Sequence, residues 1–206
     1  NASFTADISN NIIQSCPTGI YTDADGQVSN NQITNALSYG IQINDASPNV
    51  SGNTIESTGS NSVFYMSGTS TPAFSSNTIT GTKEPSVAVS GTISSDTTWT
   101  LSNSPYHIVG NVTVASGATL TIEAGVIVKF DAAHGLDSNY RLFVNGTLNL
   151  QGTFGNEVIF TSSRDDVYGG DSNGDGSSTS PGTTDWGFIQ INNDSSTIHH
   201  AIFRYG

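Results

Sequence analysis

Basic residues are scarce in this sequence: five Lys+Arg stand against 17 Asp+Glu in 206 residues, a formal net charge of -12. A protein that tracks phosphates or sits on anionic lipid needs clustered positive charge, so neither nucleic acid nor a membrane surface is an expected partner. A single cysteine, Cys16, excludes an intramolecular disulfide framework and a cysteine zinc cluster, and reads as a small core residue. No apolar run approaches the roughly 20 residues that span a bilayer. Nor is there a ten-residue window with apolar positions at helical spacing. What fills the chain instead is Ser 30, Thr 25, Asn 20 and Gly 22, with only 11% charged residues. These residues disfavour helix interiors, while Val, Ile, Phe and Tyr recur throughout, so the chain reads as all-β with many turns.

Self-similarity gives that composition an order. Four segments align: Ile8-Ser9-Asn10-Asn11-Ile12-Ile13, Val28-Ser29-Asn30-Asn31-Gln32-Ile33, Val50-Ser51-Gly52-Asn53-Thr54-Ile55 and Phe74-Ser75-Ser76-Asn77-Thr78-Ile79. A second register follows at Gly19-Ile20, Gly40-Ile41, Ser62-Val63 and Ser86-Val87 and keeps the same period. Coils of about 20–24 residues, built from short strands between Gly, Asn and Ser, predict a parallel β-solenoid whose equivalent side chains stack into ladders. Ile13, Ile33, Ile55 and Ile79 are expected to form one inward ladder, and Ile20, Ile41, Val63 and Val87 another. Asn11, Asn31, Asn53 and Asn77 are placed at corners, where Asn tolerates left-handed backbone and its amide can bond the next Asn.

On the Ser-x-Asn-x-Ile and Gly-Ile pattern, the sequence resembles the right-handed parallel β-helix repeat superfamily of secreted bacterial and archaeal proteins. That group contains pectate lyases, other polysaccharide-processing enzymes, surface adhesins and phage tailspikes. The resemblance implies a right-handed parallel β-helix and an extracellular or cell-surface location, and leaves function open because the fold hosts many activities.

The Asn markers stop near Lys83-Glu84-Pro85 and Gly91, and a new run of short strands begins with Trp99-Thr100-Leu101 and Tyr106-His107-Ile108. Residues 1–90 therefore read as the closing coils of one unit. Residues 91–206 read as the opening coils of the next, with an inserted Asp/Gly-rich loop at 163–185. Tyr205-Gly206 and Ala2-Ser3-Phe4 look like the two sides of one cut, so the expectation is tandem repetition or head-to-tail self-association through open strand edges.

The inserted loop carries the one chemical motif. Asp171, Asn173, Asp175 and Gly176 match positions 1, 3, 5 and 6 of the calcium-loop formula, in which alternate oxygen side chains converge on a hard cation. The closing acidic position falls on Gly182, so this is no EF-hand; Asp165, Asp166 or Asp185 would complete the shell, and calcium is the expected structural cofactor. For catalysis, β-helix lyases and hydrolases need clustered carboxylates with a basic partner. Lys83, Lys129, Arg141, Arg164 and Arg204 look scattered, and His199-His200 sit on alternating strand faces. The reading is thus a non-catalytic segment of an extracellular fibre, sheath or adhesin. The alternative is a carbohydrate-binding or polysaccharide-cleaving β-helix, kept open by Tyr21, Tyr39, Tyr65, Tyr140, Tyr168 and Trp186, which could stack on sugar rings.

Overall fold

A computed structural model describes residues 4–58, 62–80, 86–132 and 139–206. Its regular structure is strand apart from one 3-10 turn, Leu101–Asn103, and every pairing between named strands is parallel. Three ladders build the N-terminal coils. The first stacks Thr5–Ser9, Asp25–Ser29, Asn49–Ser51 and Ala73–Ser75; the second stacks Ile12–Gln14, Gln32–Ala36, Thr54–Thr58 and Thr78–Thr80. The third begins with Ile20–Thr22, Ile41–Ile43, Phe64–Ser67 and Val87–Ile93, and it runs on through the whole molecule.

The apolar spacing explains the register. Ile13, Ile33, Ile55 and Ile79 are matched rung for rung, as are Ile8, Val28, Val50 and Phe74. One expected ladder is corrected: Ile41 pairs with Phe64, not Val63, and Phe64 pairs with Val87. Val63 is one residue early, at the corner, where its carbonyl accepts from the Gly40 amide at 2.8 Å; it is still buried.

The Asn ladder forms as expected and is polar in direction. In each step the backbone N–H and the side-chain Nδ2 of one Asn both donate to Oδ1 of the next, from Asn11 to Asn31 to Asn53 to Asn77, at 2.9–3.0 Å. Nδ2 of Asn31, Asn53 and Asn77 also donates to Ile8, Val28 and Val50 carbonyls. The left-handed corner residue is not the ladder Asn but the one before it: Asn10, Asn30, Gly52 and Ser76 have φ of 59°, 54°, 65° and 54°. Conformational strain and amide stacking are thus divided between two adjacent positions.

Beyond the fourth coil the cross-section changes. Strand Val87–Ile93 crosses the 90/91 position with a register shift between Val89 and Gly91. Its two halves seed separate rows: Val87–Val89 leads to Tyr106–Ile108, Ile127–Phe130, Val158–Ser162 and Ala201–Phe203, while Gly91–Ile93 leads to Val112–Val114, Leu142–Val144 and Ile189–Ile191. A fourth ladder stacks Thr97–Trp99, Thr119–Ile122, Thr147–Gln151 and Thr197–His199. The core runs continuously through the change, from Ile20 to Phe160. Cys16 packs partly buried against it.

Candidate functional site

Successive side chains of a strand point to opposite faces, so the long sheet has an outer row as well as an inner one. Rung by rung the outer row reads Tyr21, Gln42, Tyr65, Ala88, His107, Lys129 and Thr161. Arg204 extends it: its amide donates to the Phe160 carbonyl at 2.9 Å, one residue past the Phe160–Phe203 pair. Spacing alone made the basic residues look scattered, but coil stacking brings His107, Lys129 and Arg204 into one row, with Thr161 between the last two. Lys83 lies outside the described residues.

The insertion covers the last rungs of this row, Lys129, Thr161 and Arg204. Lys129 is 0% exposed and its Nζ donates to the Gly170 carbonyl at 2.5 Å. Gly169, at φ +69°, lies against the sheet so closely that an added Cβ would sit 3.4 Å from Lys129 Cε and 3.3 Å from Pro105 Cβ. Thr161 donates to Asp165 Oδ2 at 2.6 Å, and Arg204 Nη1 pairs with the same carboxylate at 3.3 Å while its guanidinium lies 5.0 Å over the Tyr168 ring. At the other end of the insertion Asp185 accepts from Ser162 Oγ at 2.6 Å and pairs with Arg164 at 2.9 Å. All but the Arg164–Asp185 pair, which closes the insertion on itself, tie the insertion to the body of the coil.

His107 is 1% exposed; Nδ1 lies 3.3 Å from Ser62 Oγ, itself 2.7 Å from Ser86 Oγ, and Nε2 has no hydrogen-bond partner among the described residues. Burial pushes its pKa down to about 4, with Lys129 adding to the depression and Asp131 opposing it. At neutral pH His107 is therefore an uncharged imidazole, which suits a rung directly beside an ammonium.

Of the six expected metal ligands, Asp171, Asn173 and Asp175 stay together in one hydrogen-bonded loop. Asp165 and Asp185 are committed to Arg204 and Arg164. Asp171 caps the loop's own amides, accepting from Asp175 and Gly176 N–H at 3.1 and 2.8 Å. Asp175 accepts from Asn173 Nδ2, from the Ser177, Ser178 and Thr179 amides and from Thr179 Oγ1, and the Thr179 hydroxyl above all holds its carboxyl below the usual range. A carboxylate has about four lone-pair sites, and five donors saturate Asp175. Asp166 lies apart with a buried Oδ1 that has no partner among the described residues. Among the described residues no three His, Cys, Asp or Glu side chains are grouped, and the loop carboxylates are occupied by the loop's own donors. Sequence pattern matched the loop's turn geometry, which Asp and Asn serve equally well by capping amides.

The expected sugar-stacking aromatics fare similarly. Tyr21 is 56% exposed, but Trp186 is buried, stacked on Phe130 at 4.3 Å, and Tyr39 and Tyr65 pack together at 5.2 Å. His199 and His200 are both exposed, His200 occupying a left-handed corner. Among the described residues no helix is long and apolar enough to cross a membrane.

With the coil geometry established, the comparison with known families is decisive for the fold. Residues 1–112 match the right-handed β-helix region. The chain belongs to the right-handed β-helix family. Within this β-helix protein residues 91–175 also match the pectate-lyase-like β-helix domain, a span that contains His107, Lys129 and Asp165. The two matches overlap at 91–112, where the cross-section changes and the long sheet continues. No curated protein and no solved structure matches this β-helix.

Proposed function

We propose that the chain is a non-catalytic structural segment of an extracellular fibre, sheath or surface adhesin, lengthened by tandem repetition or end-to-end association. The observation that carries this reading is the burial of the basic end of the outer row. Proton transfer needs a group within hydrogen-bond reach of substrate, about 2.6–3.2 Å. Lys129, at 0% exposure, is beneath the insertion, His107 is 1% exposed beside Ser62, and Arg204 is engaged by Asp165. A polymer resting on the sheet touches the insertion instead. Continuous parallel ladders make a stiff rod, and Ser, Thr and Asn on its outer faces keep that rod solvated. End-to-end association would align most readily through the long sheet, the one sheet common to both kinds of coil. Its test is molar mass by light scattering across a dilution series: a mass that rises with concentration supports it, and a constant monomer mass counts against it.

The second reading, a carbohydrate-binding or polysaccharide-cleaving β-helix, draws support from the pectate-lyase-like match over residues 91–175. Incubation with polygalacturonate and with neutral glucans separates the two. The structural reading expects no new unsaturated or reducing ends; their appearance, and their loss in Lys129→Ala, would replace it.

A further inference from the structure

Outside that basic end, the change of cross-section leaves a seam. Strands Ala73–Ser75 and Thr78–Thr80 each pair on one side only, with Asn49–Ser51 and Thr54–Thr58. The next coil lays no strand on them. Thr97–Trp99 pairs onward with Thr119–Ile122, and the chain then tightens into the 3-10 turn Leu101–Asn103. Between the two coil types lies a cavity of about 500 Å³.

We propose that this seam cavity is a binding site for a neutral saccharide. Its volume falls in the roughly 300–1,000 Å³ range of small-ligand sites. Its lining is divided in the way a sugar ring is divided. Pro72, Phe74 and Tyr106 offer apolar surface to ring C–H groups, while Asp96, Thr98 and Asn103 offer polar atoms to ring hydroxyls. The floor is fixed before any ligand arrives: Trp99 stacks on Tyr106 at 4.9 Å, and the Tyr106 hydroxyl accepts from the Thr100 amide at 2.9 Å. Asp96 is fixed too, because its Oδ1 accepts from the Thr119 amide at 2.8 Å, which leaves Oδ2 for a ligand hydroxyl. A preorganised rim and floor spare the ligand the entropy of ordering them.

The charge of the lining selects the ligand. Among the described residues Asp96 is the one charged residue that lines the cavity. A uronate brought there meets the Asp96 carboxylate, whereas a neutral ring meets an acceptor. The site is thus tuned against the acidic polysaccharides that the cleaving alternative would use. This inference goes beyond the fibre reading and gives the carbohydrate-binding reading an address. The polysaccharide assay reads cleavage and the experiment below reads binding, so each can fail alone.

The test is amide chemical-shift mapping of the intact chain with cellobiose, maltose, lactose and chitobiose as neutral probes and trigalacturonate as the anionic one. At least one neutral probe is expected to shift amides within 71–74 and 96–106, and trigalacturonate is expected to leave them in place. Phe74→Ala should weaken the neutral probe about tenfold, as loss of an apolar floor does. Asp96→Asn keeps an oxygen for the Thr119 amide and removes the charge, so it should admit trigalacturonate; thermal unfolding of both variants checks that they fold. Absence of seam shifts with all four neutral probes, or equal binding of trigalacturonate to the unaltered chain, overturns the proposal.

Discussion

The N-terminal and C-terminal coils solve one problem, closing a coil without orphaning backbone groups, in two different ways. In the N-terminal coils the corner is closed by side chains: an Asn amide on every coil satisfies both its neighbour and the adjacent carbonyls. In the C-terminal coils the Asn ladder is gone, the strand runs straight through the corner with a register shift, and Tyr106–Val114 carries both rows. The first device fixes coil length, because an inserted residue breaks the amide chain. The second tolerates insertions, and the molecule's long inserted loop lies in this half. Periodicity and decoration are alternatives here, set by what closes the corner.

The comparison breaks most sharply at Asn53. Its amide is 0% exposed, accepts from Asn31 and donates to Val28 and Asn77. Asn53→Ala orphans several buried groups at about 1–3 kcal/mol each, so a loss of about 4 kcal/mol in chemical denaturation is expected. Asn149→Ala, on a C-terminal rung facing Thr121, should cost under about 1 kcal/mol. Equal losses would show that the two halves close alike.

The pH dependence of stability singles out the C-terminal half. Folded His107 titrates at about 4, against about 6.5 in an unfolded chain. Above pH 6.5 neither state binds the proton. Between 6.5 and 4 the unfolded chain gains a proton that the folded chain refuses, so stability falls as pH falls, by up to about 3 kcal/mol. Urea unfolding at pH 7 and pH 4.5 measures it, and His107→Gln should remove that share of the slope.

Smaller still is the effect expected at the strap. Asp165→Asn keeps the acceptor for Thr161 and removes the ion pair to a partly exposed Arg204. About 1–2 kcal/mol of loss is expected, seen as faster hydrogen exchange confined to 163–185. Exchange that also rises through 1–80 would mean that the halves do not differ in cooperativity. Smallest of all is calcium: with Asp175 saturated by five internal donors, exchanging excess calcium for chelator should move the thermal midpoint by less than about 2 °C. A larger rise would show Asp175 releasing those donors for a cation.

Most of the fold was legible in the sequence because ladders repeat, and repetition survives without coordinates: Asn11 to Asn77 and Ile13 to Ile79 were found by period alone. The register at Val63 was not, since adjacent apolar residues, Val63 and Phe64, compete for one rung and only backbone pairing decides. The candidate site was illegible for a different reason. His107 and Lys129 are one ordinary coil apart, but Arg204 joins their row only through longer coils, so no fixed spacing links all three. The Asp171–Gly176 pattern reads two ways because a turn that caps its own amides and a turn that binds a cation use the same residues.

The central claim is that the insertion seals the basic end of the outer row. Amine-reactive labelling followed by peptide mass spectrometry tests it directly, comparing Lys129 in the native and urea-unfolded chain. Sealing predicts that Lys129 stays unmodified in the native protein and reacts fully on unfolding. Native labelling at the rate of a free amine would contradict it, and would return the row to the pool of accessible catalytic groups.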